Sequence, residues 1–198
     1  FIELHVEKGA RLYKKNTSVG VVSYIDGVNR YEITVTGEAN HAGSTAMADR
    51  RDALVAAAGF INKVPEVTAE YGNDFTVATV GTIKVTPHSV NVIPGTCTFS
   101  LEIRDQDQKI MTLIEQKLQD ILGDICKKYG VSYTFVPTSF HEPAPMSEWV
   151  KGSIEDAIKG MGIDYSIIPS GAFHDSLIMT SVFPTGMIFV PSEKGISH

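Results

Sequence analysis

The order of strand-like and helix-like segments between residues 19 and 136 limits the folds open to this 198-residue chain. Strands show apolar residues at every second position or form short apolar runs rich in β-branched residues, whereas helices show apolar residues three or four positions apart. On these criteria the segments run β-β-α-β-β-α-β, at 19–25, 30–36, 50–64, 75–85, 96–104, 109–129 and 131–136. Paired strands that alternate with two helices predict an α+β fold, in which helices cover one face of a small antiparallel sheet.

Turn and breaker residues are expected to set the boundaries of these elements. The turn at 26–29 predicts a β-hairpin between the first two strands. Pro65 is expected to end the first helix because proline has no N–H to donate, and Gly130 is expected to end the second. Gly81 is expected to mark a bulge in the strand at 75–85.

The residues that follow this domain show a different pattern, in which helices alternate with short apolar strands. The predicted elements are a helix at 147–161, a strand at 165–168, a helix at 174–180 and a strand at 187–190. This alternation is typical of an α/β domain, and Pro143-Ala144-Pro145 is the expected linker. We therefore predict the α+β domain at 19–136 and an α/β piece at 137–198, which leaves residues 1–18 as a separate piece.

Charge and composition argue against several functions. The formal charge of −6 and the pI near 5.5 disfavour nonspecific nucleic-acid binding, which requires an excess of Lys and Arg. No apolar run approaches the roughly 20 residues of a membrane-spanning helix. Cys97 and Cys126 are expected to be free thiols in a reducing compartment, which predicts a cytoplasmic protein.

His5 lies in a strand-like segment where Glu3 and Glu7 fall on the same face, since side chains alternate along a strand. Two carboxylates and an imidazole suit a divalent metal ion, although a solvated edge strand would show the same pattern. His198 follows the apolar strand at 187–190, and sites in α/β folds lie beyond the ends of strands. His5 and His198 could therefore belong to one site, which spacing alone leaves open.

Three further positions carry side chains suited to a small polar ligand. His41 lies among small residues that allow close approach by a ligand or another chain, although an ordinary loop entering a helix would look alike. Asn91 stands in a turn and Arg104 at the end of a strand. An amide and a guanidinium could bind one carboxylate there, but Arg104 taken alone could equally be a surface residue.

A predicted helix is preceded by the loop at 170–175, which reads Ser-Gly-Ala-Phe-His-Asp. The backbone N–H groups of this loop could bind an anion. Asp175 also has a structural explanation, because an acidic residue in the first turn interacts favourably with the helix dipole. Both interpretations stay open.

Together these motifs resemble the family of N-carbamoyl-L-amino-acid amidohydrolases, allantoate amidohydrolases and β-ureidopropionases, within the dinuclear-metal aminopeptidase superfamily. The matching segments follow family order along the whole chain, at 3–9, 37–47, 51–54, 91–95, 104, 170–175 and 187–198. The resemblance implies a lid domain at 19–136, with an antiparallel four-stranded sheet and two helices on one face, which forms a homodimer. The rest would belong to a zinc-aminopeptidase-like α/β catalytic domain.

The resemblance also implies a role for each candidate residue. His5 would bind one of two divalent metal ions (zinc, or manganese, cobalt or nickel), and His198 would bind the other. His41 would polarise the scissile ureido carbonyl in the active site of the partner subunit. Asn91 and Arg104 would hold the substrate carboxylate.

The implied reaction is hydrolysis of the carbamoyl C–N bond of an N-carbamoyl-L-amino acid or allantoate by a metal-activated water. Gly171 and Ala172 would line the substrate pocket beside His174. Lys8 occupies the position of a Gln that would contact the ureido group. Neither a nucleic acid nor a membrane is an expected partner.

Other positions depart from the family pattern as well. Ala46 stands where Pro is usual, and Phe173 stands where Gly is usual, which with Lys8 leaves the substrate open. The family's early His-x-Asp, Asp and Glu-Glu residues, which supply metal ligands and the general base, have no counterpart here. We therefore expect a fragment that by itself lacks hydrolytic activity and binds metal weakly if at all.

Two other functions stay open. A related metal-dependent exopeptidase or dipeptidase would share much of the pattern, although such peptidases more often have an acidic residue in place of His5. A non-catalytic dimerisation module would explain the missing ligands without truncation. An open reading frame that starts near Phe1 would favour the module, whereas upstream coding sequence for His-x-Asp would favour the enzyme.

Overall fold

The computed structural model describes residues 1–196. The helices are α1 (Arg11–Lys15), α2 (Ala53–Tyr71), α3 (Gln108–Tyr129), α4 (Glu148–Gly160) and α5 (Asp175–Met179). The strands are β1 (Ile2–Val6), β2 (Val19–Ile25), β3 (Gly27–Thr36), β4 (Val77–Thr79), β5 (Ile83–Thr86), β6 (Thr96–Asp105), β7 (Ser132–His141), β8 (Ala144–Pro145), β9 (Tyr165–Ser170) and β10 (Gly186–Val190). They form two compact units, one of Phe1–Gly27 with the segment from Glu142 onward, and one of Val28–His141.

The first unit contains a mixed sheet in the order β1-β10-β2-β8, with β9 also paired to β2. β1 runs parallel to β10 and β9 runs parallel to β2, whereas β2 is antiparallel to β10 and β8. Helix α4 packs on one face through three buried residues at helical spacing, Val150, Ile154 and Ile158. Val21 packs with this helix, whereas its neighbour Val22 packs in a second cluster with Phe189, so both faces of β2 are covered.

The second unit contains a sheet in the order β4-β6-β3-β7, with β5 also paired to β6. β3 and β6 run in opposite directions, because Arg30 meets Glu102 and Thr34 meets Thr98 across them. Helices α2 and α3 share one buried core with alternate residues of β3 and β6. The alternation predicted for β6 is confirmed by its buried residues, Cys97, Phe99, Leu101 and Ile103. The chain therefore has a mixed α/β fold that contains two sheets.

The predicted hairpin between 19–25 and 30–36 is wrong. β2 pairs with β8, β9 and β10 in the first sheet, whereas β3 pairs with β7 in the second. Val21 and Val22 are both fully buried, as expected for a strand that is covered on both faces. Such a strand has no apolar-polar alternation that would identify its partner.

The prediction that Pro65 ends the first helix is also wrong, because α2 continues to Tyr71. Val64 and Val67 lie on either side of the proline and are buried in the core of the second unit. Their packing outweighs the backbone cost of an interior proline, which is about 3 kcal/mol.

Glycines mark the other boundaries much as the sequence predicts. Gly130 follows α3 with a left-handed φ of 63°, and its N–H bonds to carbonyls of the last helical turn, which confirms the predicted helix end. The strand predicted at 75–85 is divided around Gly81 into β4 and β5, which both pair with β6. β7 is longer than predicted and reaches His141.

Cys97 and Cys126 are free and buried, as expected. Burial raises the pKa of both thiols, which keeps the sulfurs in the less reactive protonated form at neutral pH. Within residues 1–196, no helix has both the length and the apolar character needed to span a membrane.

Candidate active site

Glu7 has a structural role that separates it from its neighbours on β1. Its carboxylate is buried and accepts the backbone N–H groups of Arg11 and Leu12, each at 2.9 Å. Glu7 therefore caps the start of α1. Of the predicted Glu3, His5 and Glu7 face, only Glu3 and His5 are partly exposed.

The His5 ring is held by a backbone carbonyl through one of its nitrogens. Its Nδ1 lies 2.8 Å from the carbonyl oxygen of Val6. A carbonyl can only accept, so Nδ1 carries a hydrogen, and in the neutral ring it is Nε2 that offers the lone pair. Metal-binding histidines commonly use one nitrogen for the metal while the other donates to a carbonyl. His5 therefore fits the predicted role of a single metal ligand.

His174 packs edge-on against His5, with ring centroids 4.6 Å apart. Its Nε2 lies 2.8 Å from Ser170 Oγ, while the Ser170 hydroxyl donates to the Ala172 carbonyl at 2.9 Å. Because a hydroxyl has only one hydrogen, His174 Nε2–H must be the donor to Ser170. His174 Nδ1 then carries the lone pair, and it has no hydrogen-bond partner among residues 1–196.

The His174 side chain is only 1% exposed. Burial is the main reason why the pKa of His174 is lowered to about 4. The charges of His5 and Lys8 also lower this pKa, whereas Glu3 and Asp175 raise it. His174 is therefore neutral at pH 7 and presents an uncharged ring to His5.

Glu3 anchors the start of α5, a contact that sequence reasoning missed. Its Oε2 accepts the Ser176 backbone N–H at 2.8 Å and the Ser176 hydroxyl at 2.6 Å. Its Oε1 lies 3.8 Å from His174 Nδ1, and this contact is not an ion pair because His174 is neutral. The bonds from Ser176 hold the loop that carries His174 against β1.

The loop at Gly171 and Ala172 lies beside His174, because both Ala172 and His174 bond to the Ser170 hydroxyl. The Ala172 N–H donates to Ser170 Oγ at 3.3 Å, so this amide already has an acceptor within the loop. Lys8 lies just beyond β1 with a left-handed φ of 57° and is partly exposed. Within the first unit, the structure therefore brings His5 and His174 into contact and ties Ala172 to His174 through Ser170.

His41 lies on an exposed loop of the second unit with its tautomer defined by the backbone. The N–H groups of Gly43 and Ser44 both point at His41 Nδ1, at 3.0 and 3.2 Å. Nδ1 therefore carries the lone pair, and Nε2 carries a hydrogen that can be donated. The arrangement gives His41 the hydrogen-bond donor that carbonyl polarisation requires.

Asn91 lies next to the His41 loop. Its backbone carbonyl accepts the Ala42 N–H at 2.9 Å, and His41 forms an isolated β-bridge with Val92. The Asn91 side-chain oxygen accepts the Ser89 hydroxyl at 2.7 Å, which directs the amide nitrogen away from Ser89 as a donor. The structure therefore brings the predicted residues His41 and Asn91 together.

The predicted two-metal site is represented by His5 alone in the described part of the chain. Among residues 1–196, no group of three or more His, Cys, Asp or Glu side chains is arranged to hold a metal ion. The other predicted ligand, His198, lies outside the described residues.

Similarity to known proteins covers the whole chain. The sequence model of one family, described as the peptidase dimerisation domain, matches residues 25–130, which is more than half of the chain. The chain belongs to the peptidase dimerisation domain family. The matched segment contains three of the predicted site residues, His41, Asn91 and Arg104.

Relatives of this dimerisation-domain protein include two named amidohydrolases. Allantoate amidohydrolase of Escherichia coli (strain K12) is 35% identical over 198 residues, covering 100% of this chain and 48% of that protein. N-carbamoyl-L-amino-acid amidohydrolase of Pseudomonas sp. (strain NS671) is also 35% identical, with the same coverage. The crystal structure of a hydantoinase/carbamoylase-family amidase from Burkholderia multivorans matches with a TM-score of 0.93 at 34% identity, covering 100% of this chain and 48% of that chain.

These similarities confirm the resemblance to the carbamoyl amidohydrolase family. The dimerisation-domain chain spans about half the length of the curated relatives that it matches. The roles of the individual site residues remain predictions.

Within the dimerisation-domain family segment, Arg104 belongs to a network that sequence reasoning missed. Glu102 accepts a hydrogen bond from Arg104 Nε and another from Arg30 Nε, each at 2.6 Å. Burial alone would raise the pKa of Glu102, but the hydrogen bonds and charges of Arg104 and Arg30 lower it below its ordinary value. Glu102 therefore stays ionised and holds the guanidinium of Arg104, whose side chain is only 17% exposed.

Proposed function

We propose that the chain is part of a metal-dependent amidohydrolase that cleaves the carbamoyl (ureido) C–N bond of N-carbamoyl-L-amino acids or allantoate. The observation that carries this proposal is the 35% identity, along all 198 residues, to two enzymes named for those substrates. The tautomers of His5 and His41 support it, because one offers a lone pair to a metal and the other offers a hydrogen to a carbonyl.

His5 would hold one divalent metal ion (zinc, or manganese, cobalt or nickel) through Nε2, and His198 would hold the second. The further ligands and the general base would come from the part of the enzyme outside this chain. When bound, the metals would lower the pKa of a water molecule and polarise the ureido carbonyl. Residues 1–198 by themselves would then lack turnover.

His41 would donate its Nε2–H to the ureido oxygen. Hydrogen-bond donors that are already oriented toward a developing oxyanion stabilise the transition state without reorganising. The enzyme would act as a homodimer through the dimerisation domain, so that His41 of one subunit serves the active site of the other. The family assignment of residues 25–130 supports this association.

The substrate carboxylate would be bound by Asn91 and Arg104. The fixed guanidinium of Arg104 suits a planar anion, because its N–H groups form a rigid fork. Lys8, Gly171, Ala172 and His174 would line the pocket around the ureido group. Phe173 is partly buried and packs against the core cluster of the first unit, which would hold the 171–172 loop in place.

We also place the enzyme in the cytoplasm. The support is the pair of buried free thiols, Cys97 and Cys126, which persist in a reducing compartment. The formal charge of −6 supports the absence of a nucleic-acid partner.

A substrate panel on the complete enzyme tests the proposed reaction. The panel contains allantoate, N-carbamoyl-L-amino acids, N-carbamoyl-β-alanine and dipeptides, each with and without a chelator. Ammonia release from a ureido compound that stops when the metal is removed would support the proposal. Cleavage of dipeptides alone would replace it with the exopeptidase function.

A further inference from the structure

The loop that carries His41 is held at two points by one arginine. Arg50 Nη2 donates to the Ala42 carbonyl at 2.5 Å, and Arg50 Nε donates to the Thr45 carbonyl at 3.2 Å. These carbonyls flank the two amides that donate to His41 Nδ1. Because a guanidinium holds its donors in a fixed plane, the two bonds fix the separation of Ala42 and Thr45, and with it the direction of the amides between them.

Position 43 leaves little space for a side chain beside the imidazole. A Cβ added to Gly43 would lie 3.1 Å from His41 Cε1 and 3.4 Å from His41 Nδ1. The ring would have to move by a few tenths of an ångström. That movement would weaken the hydrogen bonds from the amides of Gly43 and Ser44 to Nδ1.

We propose that Arg50 and Gly43 are positioning residues that hold the His41 imidazole in one place, with Nε2–H directed outward as a donor. The proposal rests on the proposed role of His41 toward a substrate carbonyl. Neither residue need touch the substrate, because both act through the ring. A donor held in this way meets the developing oxyanion without further ordering.

Amide hydrogen exchange on the 198-residue chain tests the geometry without any substrate. In Arg50→Gln, the Ser44 amide should exchange about fivefold faster or more, because its hydrogen bond to Nδ1 is lost. Arg51→Gln is the matched control, since the Arg51 side chain is 62% exposed and lies 3.9 Å from Glu38. Gly43→Ala should also speed exchange of the Ser44 amide, and it provides an independent test if Arg50→Gln fails to fold.

Kinetics in the complete enzyme separate positioning from simple stability. Misplacement of a catalytic group by about 1 Å can cost about 100-fold in rate, so Arg50→Gln should lower kcat by about 10- to 100-fold with KM nearly unchanged. Arg50→Lys should recover part of kcat, because one ammonium can still bond one carbonyl. Equal kcat in Arg50→Gln and Arg51→Gln would overturn the proposal, as would an unchanged Ser44 exchange rate in both test variants. If the wild-type enzyme hydrolyses no ureido substrate, the proposed function fails, and the exchange experiment still decides the positioning.

Discussion

Replacement of Gly186 by alanine tests whether α4 packs directly on β10. A Cβ at Gly186 would lie 2.6 Å from Val150 Cγ1 and 3.0 Å from Ile154 Cδ1. Both side chains are buried on α4, and β-branched residues in a helix have little freedom at χ1. Added methyl groups in a packed core cost about 1–3 kcal/mol. We therefore expect Gly186→Ala to lower the free energy of unfolding by about 2 kcal/mol.

The same substitution at Gly152 provides a control of opposite sign. Gly152 also lies on α4, but a Cβ there would meet nothing within 4 Å. Alanine is favoured over glycine inside a helix by about 1 kcal/mol. Gly152→Ala should therefore raise the free energy of unfolding, although it adds the same methyl group as Gly186→Ala does.

Urea unfolding measures both effects, with far-UV circular dichroism and the fluorescence of Trp149 on α4, the single tryptophan of the chain. With an m-value of about 1–3 kcal/mol/M, a loss of 2 kcal/mol moves the midpoint down by about 1 M. A midpoint for Gly186→Ala at or above that of the wild type would refute the packing of α4 on β10.

Three other predictions concern ionisable groups. The pKa of His174 is about 4 in the folded chain, against an ordinary value of 6.5. At 1.36 kcal/mol per pKa unit, this difference is worth about 3 kcal/mol of the free energy of unfolding. That stability is complete above pH 6.5 and is lost as the pH falls to about 4, because the unfolded chain binds the proton first. Urea unfolding at both ends of that range should show the loss, and His174→Gln should remove it. Glu3→Gln should lower the free energy of unfolding by about 1–3 kcal/mol and speed amide exchange at Ser176, because two charge-assisted hydrogen bonds are weakened. Arg30→Gln should raise the pKa of Glu102 toward its ordinary value, which a carboxyl titration by NMR would detect.

Elements whose two faces differ could be predicted from the sequence. In β6, Cys97 and Phe99 are buried while the residues between them are partly exposed, so alternation alone identifies the strand and its inner face. The end of α3 at Gly130 was predictable for a similar reason, because only the local backbone conformation is involved.

Elements that depend on distant contacts could not be predicted in this way. The residues of β2 are apolar on both faces, and nothing in their own pattern distinguishes β3 from β10 as a partner. The helix continues beyond Pro65 because Val64 and Val67 are buried, and their burial depends on the whole core.

In the candidate site too, some features are visible in the local sequence and others depend on distant contacts. The small residues around His41 identify its loop, but the bonds from the Gly43 and Ser44 amides to Nδ1 depend on the loop conformation. Glu3 and Ser176 are 173 residues apart in sequence, so their contact had no local signal. Glu102 could have been found, because residues two apart on a strand share a face and Glu102 precedes Arg104 by two.

Ammonia release from an N-carbamoyl-L-amino acid or allantoate by the complete enzyme, compared between His41→Ala and His88→Ala, tests the proposed reaction and the proposed role of His41 together. His88 is an exposed histidine of the same unit and serves as the matched control. Loss of one oxyanion donor costs about 100- to 1000-fold in kcat, so His41→Ala should lose that much while His88→Ala keeps wild-type turnover. A wild-type enzyme that hydrolyses no ureido compound would contradict the proposed reaction, and equal turnover in the two variants would contradict the proposed role of His41.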